Sequence, residues 1–82
     1  MNDENEMIIP IRPKELGTVT CMVHGEVEID LSQIKYFRNI RADNDCTTQI
    51  FMNSGESYYI RGENMRDVSS KLGIKHLQPY EP

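Results

Sequence analysis

The chain has 82 residues, nine of them basic and thirteen acidic, for a net charge of −4. That length suits one domain, and two cysteines are too few for a disulfide-dense secreted scaffold. The acidic balance argues against non-specific nucleic-acid binding, and no apolar run approaches the roughly 20 residues of a membrane span.

Residues 1–6 read as a flexible acidic tail, without the basic and apolar regions of a signal peptide. A cytoplasmic location is the expectation. Met7-Ile8-Ile9-Pro10-Ile11 is apolar, but Pro10 and Pro13 limit it to an edge strand or a strap. Ile8, Ile9 or Ile11 should pack on the domain or on a second subunit. Residues 1–13 thus form a tail and strap, residues 14–73 a single domain, and residues 74–82 an extended tail.

Gly17 opens the first predicted strand, residues 18–23, and His24-Gly25 turns the chain into a second, residues 26–31. A two-residue loop would pair Met22 with Val27. A three-residue loop would pair Val23 with Val27 and keep the apolar sets on one face. Asp30-Leu31-Ser32-Gln33 reads as one helical turn capped by Asp30. The third strand spans residues 34–41, followed by a polar turn through Asp43 and Asn44. The fourth spans residues 47–52 and the fifth residues 56–61. Between these two, Asn53-Ser54-Gly55 fits a bulged hairpin with Gly55 left-handed, which pairs Ile50 with Tyr58. That register gathers Met52, Ile50, Tyr58 and Ile60 on one face.

A helix follows. Asn64 caps it, Asp67 stands three residues on, and Met65, Val68 and Leu72 share one side before Gly73 ends it. Ile74, Leu77 or Tyr80 should hold the tail down. The expected fold is α+β: an antiparallel β-meander of about five strands with one C-terminal helix packed on one face.

Strict alternation from Ile34 places Lys35, Phe37, Asn39 and Arg41 on the opposite face. Gln49, Phe51, Tyr59 and Arg61 join them there. Aromatics with arginine suit a protein-binding hot spot, and also base stacking with phosphate pairing. The same pattern suits an ordinary solvated sheet face, with the aromatics screened by long side chains. The expected binding residues are Lys35, Phe37, Arg41, Phe51, Tyr59 and Arg61.

No catalytic set is expected. His24 and His76 read as solvated, and Cys21 and Cys46 as small buried hydrophobes. There is no Cys-x-x-Cys pair, phosphate loop or dinucleotide fingerprint, so no metal or cofactor is expected.

The order of hairpin, Asp30-Leu31-Ser32-Gln33-Ile34 turn, strand, glycine turn, tyrosine-bearing strand and capped helix resembles the FlbD-like flagellar proteins. Gly25, Ile34, Gly55, Tyr58 and Val68 stand at their landmarks. Residues 29–72 also resemble the first half of LytTR-type domains, through Ile34-Lys35-Tyr36, the Gly55-to-Arg61 strand and the Met65, Val68, Leu72 helix. Both resemblances imply a meander closed by a helix. No DNA-contacting residue carries over, because Gly73-Ile74-Lys75-His76-Leu77 stands where the LytTR type has a basic segment.

The expected function is a non-catalytic interaction or regulatory module that binds a protein partner on the open face and forms a homo-oligomer. The alternative is a nucleotide, small anionic ligand or nucleic acid on that face, with nucleic acid the less favoured.

Overall fold

The computed structural model describes residues 6–42 and 45–79, without the side chains of residues 41, 42 and 45. Of the acidic tail expected at residues 1–6, residues 1–5 lie outside the described residues, as do the tip of the turn at Asp43 and Asn44 and the Tyr80 anchor, whereas Glu6 belongs to a strand.

The fold is α+β. Seven strands are β1 (Glu6–Ile8), β2 (Leu16–Cys21), β3 (Gly25–Asp30), β4 (Ile34–Ala42), β5 (Asp45–Met52), β6 (Ser57–Arg61) and β7 (Gln78–Pro79). A 3-10 turn at Leu31–Gln33 separates β3 from β4, and helix α1 spans Met65–Lys71. Five strands form one antiparallel sheet in the order β6-β5-β4-β1-β7, and β2-β3 form a second, two-stranded sheet.

The meander β4-β5-β6 is built by local hairpins. Gly55 turns the chain with φ of 97°, its N–H donating to the Met52 carbonyl while Met52 N–H donates to the Glu56 carbonyl. Ile50 consequently pairs with Tyr58, as the alternation requires. The first hairpin takes neither expected register: β2 ends at Cys21, so Val19 pairs with Val27 and Cys21 with Gly25, and Met22 and Val23, expected in the strand, lie with His24 in the loop.

That hairpin does not continue the meander edge to edge. Asp30 caps the 3-10 turn through Ser32, and the chain leaves β3 in a new direction. The edge of β4 is taken instead by β1, which also pairs with β7. The apolar strap is therefore a strand of the main sheet, and Met7 and Ile9 pack on the core while Ile11 is fully exposed.

One core joins both sheets and the helix: Val19, Cys21, Ile29 and Leu31 from the hairpin side, Phe37, Ile50 and Ile60 from the sheet, and Met65, Val68 and Leu72 from α1. The helix is fixed at both ends. Asn64 and Asp67 form a reciprocal capping box. Beyond it, Gly73 and Ile74 donate back to Ser70 and Ser69 in a Schellman motif, which buries Ile74. Gly17 lets β2 lie close under this helix, since a Cβ there would stand 2.8 Å from Leu72 Cδ2.

Candidate interaction surface

The face of β4-β5-β6 turned away from α1 is decided by one irregularity. Ile34 pairs with Met52 and Tyr36 with Phe51, so Lys35 is an extra residue on β4. This β-bulge reverses the alternation. Ile34 and Phe37 both point inward, and Phe37 has 0% exposure in the centre of the core.

Phe37 therefore is not a surface residue, and the expectation that it shares the open face is corrected. Tyr36 and Arg38 take that face instead. Asn39 lies on the inner side opposite Thr48, accepting a hydrogen bond from Cys46 Sγ at 3.5 Å. Lys35 remains exposed at the bulge. Arg41 pairs through its backbone with Cys46, and its side chain is outside the described part of the structure. Phe51, Tyr59 and Arg61 stand on the outer face as the register of β5 and β6 predicts.

The outer face is built in cross-strand rows. Tyr36 and Phe51 stack with ring centroids 4.5 Å apart and planes 16° from parallel. In the next row Arg38, Gln49 and Tyr59 lie side by side across three strands. Gln49 is buried, and its Nε2 donates to Ser57 Oγ at 3.2 Å and to Tyr59 Oη at 3.1 Å. That bond fixes the Tyr59 ring, which is 41% exposed. In the third row Arg61 pairs with Thr47. The result is a semi-rigid aromatic strip with cations at its margins, a combination enriched at protein contact sites.

Sequence reasoning missed Tyr36 and Arg38. The usable signal was the odd spacing from Ile34 to Phe37, two large apolar residues that cannot both face a core along an unbroken strand.

The remaining reactive groups do not converge. Burial pushes the Cys21 thiol above its ordinary range, away from the thiolate that a nucleophile needs. Cys21 lines a depression with Thr20, Met22 and Arg61, whereas His24 lies across a separate cleft with Val27, Glu56, Ser57 and Tyr58. There the His24 ring meets Tyr58 edge-on, 6.1 Å between centroids. Tyr58 Oη donates to Glu56 Oε2 at 2.7 Å, which holds the phenol proton more tightly than usual. Both cysteines are free thiols. Among the described residues no three His, Cys, Asp or Glu side chains gather to hold a metal, and no helix is long and apolar enough to cross a membrane.

No protein-family model, curated protein or solved structure matches the chain.

Proposed function

We propose that the protein is a non-catalytic, cytoplasmic interaction module, regulatory in role, which binds a protein partner on the outer face of β4-β5-β6 and self-associates. The observation that carries this reading is the aromatic strip itself: the Tyr36–Phe51 stack beside a Tyr59 ring anchored from below by the buried Gln49. Rigid aromatics lose little side-chain entropy on binding, so they contribute affinity where flexible chains do not. Lys35, Arg38 and Arg61 surround the strip and favour an acidic partner.

A nucleotide, a small anionic ligand or a nucleic acid is the second reading, favoured by the same three cations beside Tyr59. It ranks lower because Tyr36 and Phe51 already stack on one another and the chain is acidic overall.

Retention of host proteins on the immobilised chain tests the leading reading against a double variant, Arg38→Ala with Tyr59→Ser. Arg38 is exposed, but Tyr59→Ser also removes the hydroxyl that accepts from the buried Gln49, so the variant should melt several degrees lower and still be folded at the assay temperature, which a thermal melt checks. A specific protein held by the wild type and lost from the variant is the expected result. Equal retention by both would remove this face as the site. Nucleotide or oligonucleotide binding at low salt that the variant abolishes would select the second reading.

A further inference from the structure

Two strand edges face each other beside the helix without joining. Leu31 N–H donates to the Glu15 carbonyl at 2.8 Å, and bonded pairs recur at every second residue of an antiparallel ladder. The bonded pairs of the first hairpin are therefore Gly17 with Ile29, Val19 with Val27 and Cys21 with Gly25. The N–H and carbonyl groups of Thr18 and Thr20 consequently point away from β3, toward β6. Met22 continues that outward series and donates to the Tyr59 carbonyl at 2.9 Å. The pairing stops there. No ladder joins β2 with β6, and among the described residues no backbone hydrogen bond takes up Thr18 or Thr20 on this side.

Beyond the Met22–Tyr59 bond the seam opens into a cavity of about 190 Å³ between β2, β6 and α1. Val19, Ile60 and Val68, all buried, give it an apolar floor. Thr18 and Thr20 form one wall and Arg61 stands on the other. Glu63 and Lys71 complete the lining and pair with each other. The two members of that pair are unlike. The Glu63 carbonyl accepts from the fully buried Thr48 Oγ1 at 2.8 Å, which anchors the residue, and the Glu63 side chain is 23% exposed. The Lys71 side chain is 69% exposed on the last turn of α1. So exposed a pair is weak, and a ligand that offers both charges can take up both partners.

The lining also limits the ligand. A cavity of about 150 Å³ holds benzene, so this one admits roughly eight non-hydrogen atoms. Outward backbone groups beside an apolar floor suit a molecule with hydrogen-bonding and apolar parts side by side. A lone amine would meet Arg61 and Lys71, and a lone carboxylate would meet Glu63.

We propose that this cavity binds a free α-amino acid with a small apolar side chain. The carboxylate of the ligand accepts from Lys71 and from the outward N–H groups of β2. Its ammonium donates to the Glu63 carboxylate, and its side chain rests on Val19, Ile60 and Val68. One internal ion pair is thereby exchanged for two. The site lies on the seam, apart from the Tyr36–Phe51 stack, and goes beyond the outer-face reading without depending on it. A peptide strand inserted along β2 is the competing occupant. It needs two strand spacings, about 10 Å, between β2 and β6, whereas the Met22–Tyr59 bond holds their ends one spacing apart.

Isothermal titration calorimetry of the full chain with L-valine tests the proposal. The wild type should give a saturable isotherm. N-acetylvaline lacks the ammonium and valinamide lacks the carboxylate, so each should bind at least about tenfold more weakly, the cost of one charge-assisted hydrogen bond. Glu63→Gln should weaken valine by a similar factor and leave N-acetylvaline unchanged. Lys71→Met should weaken valine and leave valinamide unchanged. Both variants should keep the wild-type circular dichroism spectrum, and Arg38→Ala/Tyr59→Ser should bind valine as the wild type does. No binding at about 10 mM valine, well above the millimolar level of even a weak site, would overturn the proposal. So would equal binding of the charged and blocked compounds, variants of Glu63 and Lys71 that bind valine normally, or loss of valine binding in Arg38→Ala/Tyr59→Ser. N-acetylvalinamide binding as tightly as valine would overturn it in favour of a peptide strand. The partner reading stands or falls separately, on the retention assay.

Discussion

Phe37 stands between Met7 on β1 and Ile50 on β5 and has no exposed surface. Its role follows from that position: it fills the centre of the core, and removing its ring leaves a void. Phe37→Ala should cost about 3–5 kcal/mol in a urea titration. That is a large share of the roughly 5–15 kcal/mol that keeps a domain folded. A loss of partner binding in this variant would therefore report unfolding, whereas the same loss in Tyr59→Ser would report a contact. Asp30 shows the opposite case, an accessible residue that acts through its charge. Its Oδ1 accepts from Ser32 Oγ at 2.7 Å and from Ser32 N–H at 3.0 Å. These bonds, chiefly the hydroxyl, hold the carboxyl below its ordinary value of 3.8. A carboxyl that ionises more readily when folded stabilises the fold fully above the unfolded value. That contribution is lost as pH falls through the unfolded value and then the folded one. Thermal melts of wild type and Asp30→Ala should differ by a constant amount at neutral pH and converge in acid, below the ordinary carboxylate range. A gap that persists in strong acid would assign the effect to something other than the ionised cap.

At the scale of elements, the parts that were legible in the sequence are those governed by neighbours a few residues apart. The bulged turn at Asn53-Ser54-Gly55 was legible because only one register keeps Ile50, Met52, Tyr58 and Ile60 together, and Gly55 supplies the positive φ that register needs. The helix was legible at both ends because Asn64, Asp67 and Gly73 each satisfy backbone groups that the helix leaves unpaired. The α+β class followed from the same local signals. The bulge at Lys35 was legible only in the odd spacing of Ile34 and Phe37, a signal that strict alternation overrides. Missing it inverted the reading of Tyr36, Phe37, Arg38 and Asn39, of which Phe37 was an expected site residue, while Lys35 stayed exposed and Phe51, Tyr59 and Arg61 kept their faces. The separation of the β2-β3 hairpin was hidden for another reason. It depends on β1 occupying the edge of β4, a pairing between segments about thirty residues apart that no local pattern encodes.

For the whole molecule, β1 is the element on which both chain ends depend. Its three residues pair with β4 on one side and β7 on the other, and β1 is the only strand that β7 pairs with among the described residues. Met7 and Ile9 also cover part of the core. Each is half-buried, so each contributes about half of the 1.5–3 kcal/mol of a fully buried side chain, or roughly 2 kcal/mol together. A chain beginning at Pro10 should therefore melt about 10 °C lower, given the small unfolding entropy of a domain this size. The effect should be uneven. The amide of Gln78 should lose protection against hydrogen exchange, because β7 has lost its neighbour. Ile50, paired on both sides by β4 and β6, should exchange only through global unfolding. The uncovered edge of β4 would also offer unpaired backbone groups to other chains, so the truncated protein should aggregate at concentrations the full chain tolerates. An unchanged melting temperature with exchange raised only at Gln78 would mean that β1 clamps the C-terminal segment without supporting the core. A matching fall in protection at Arg38 would show that it does both.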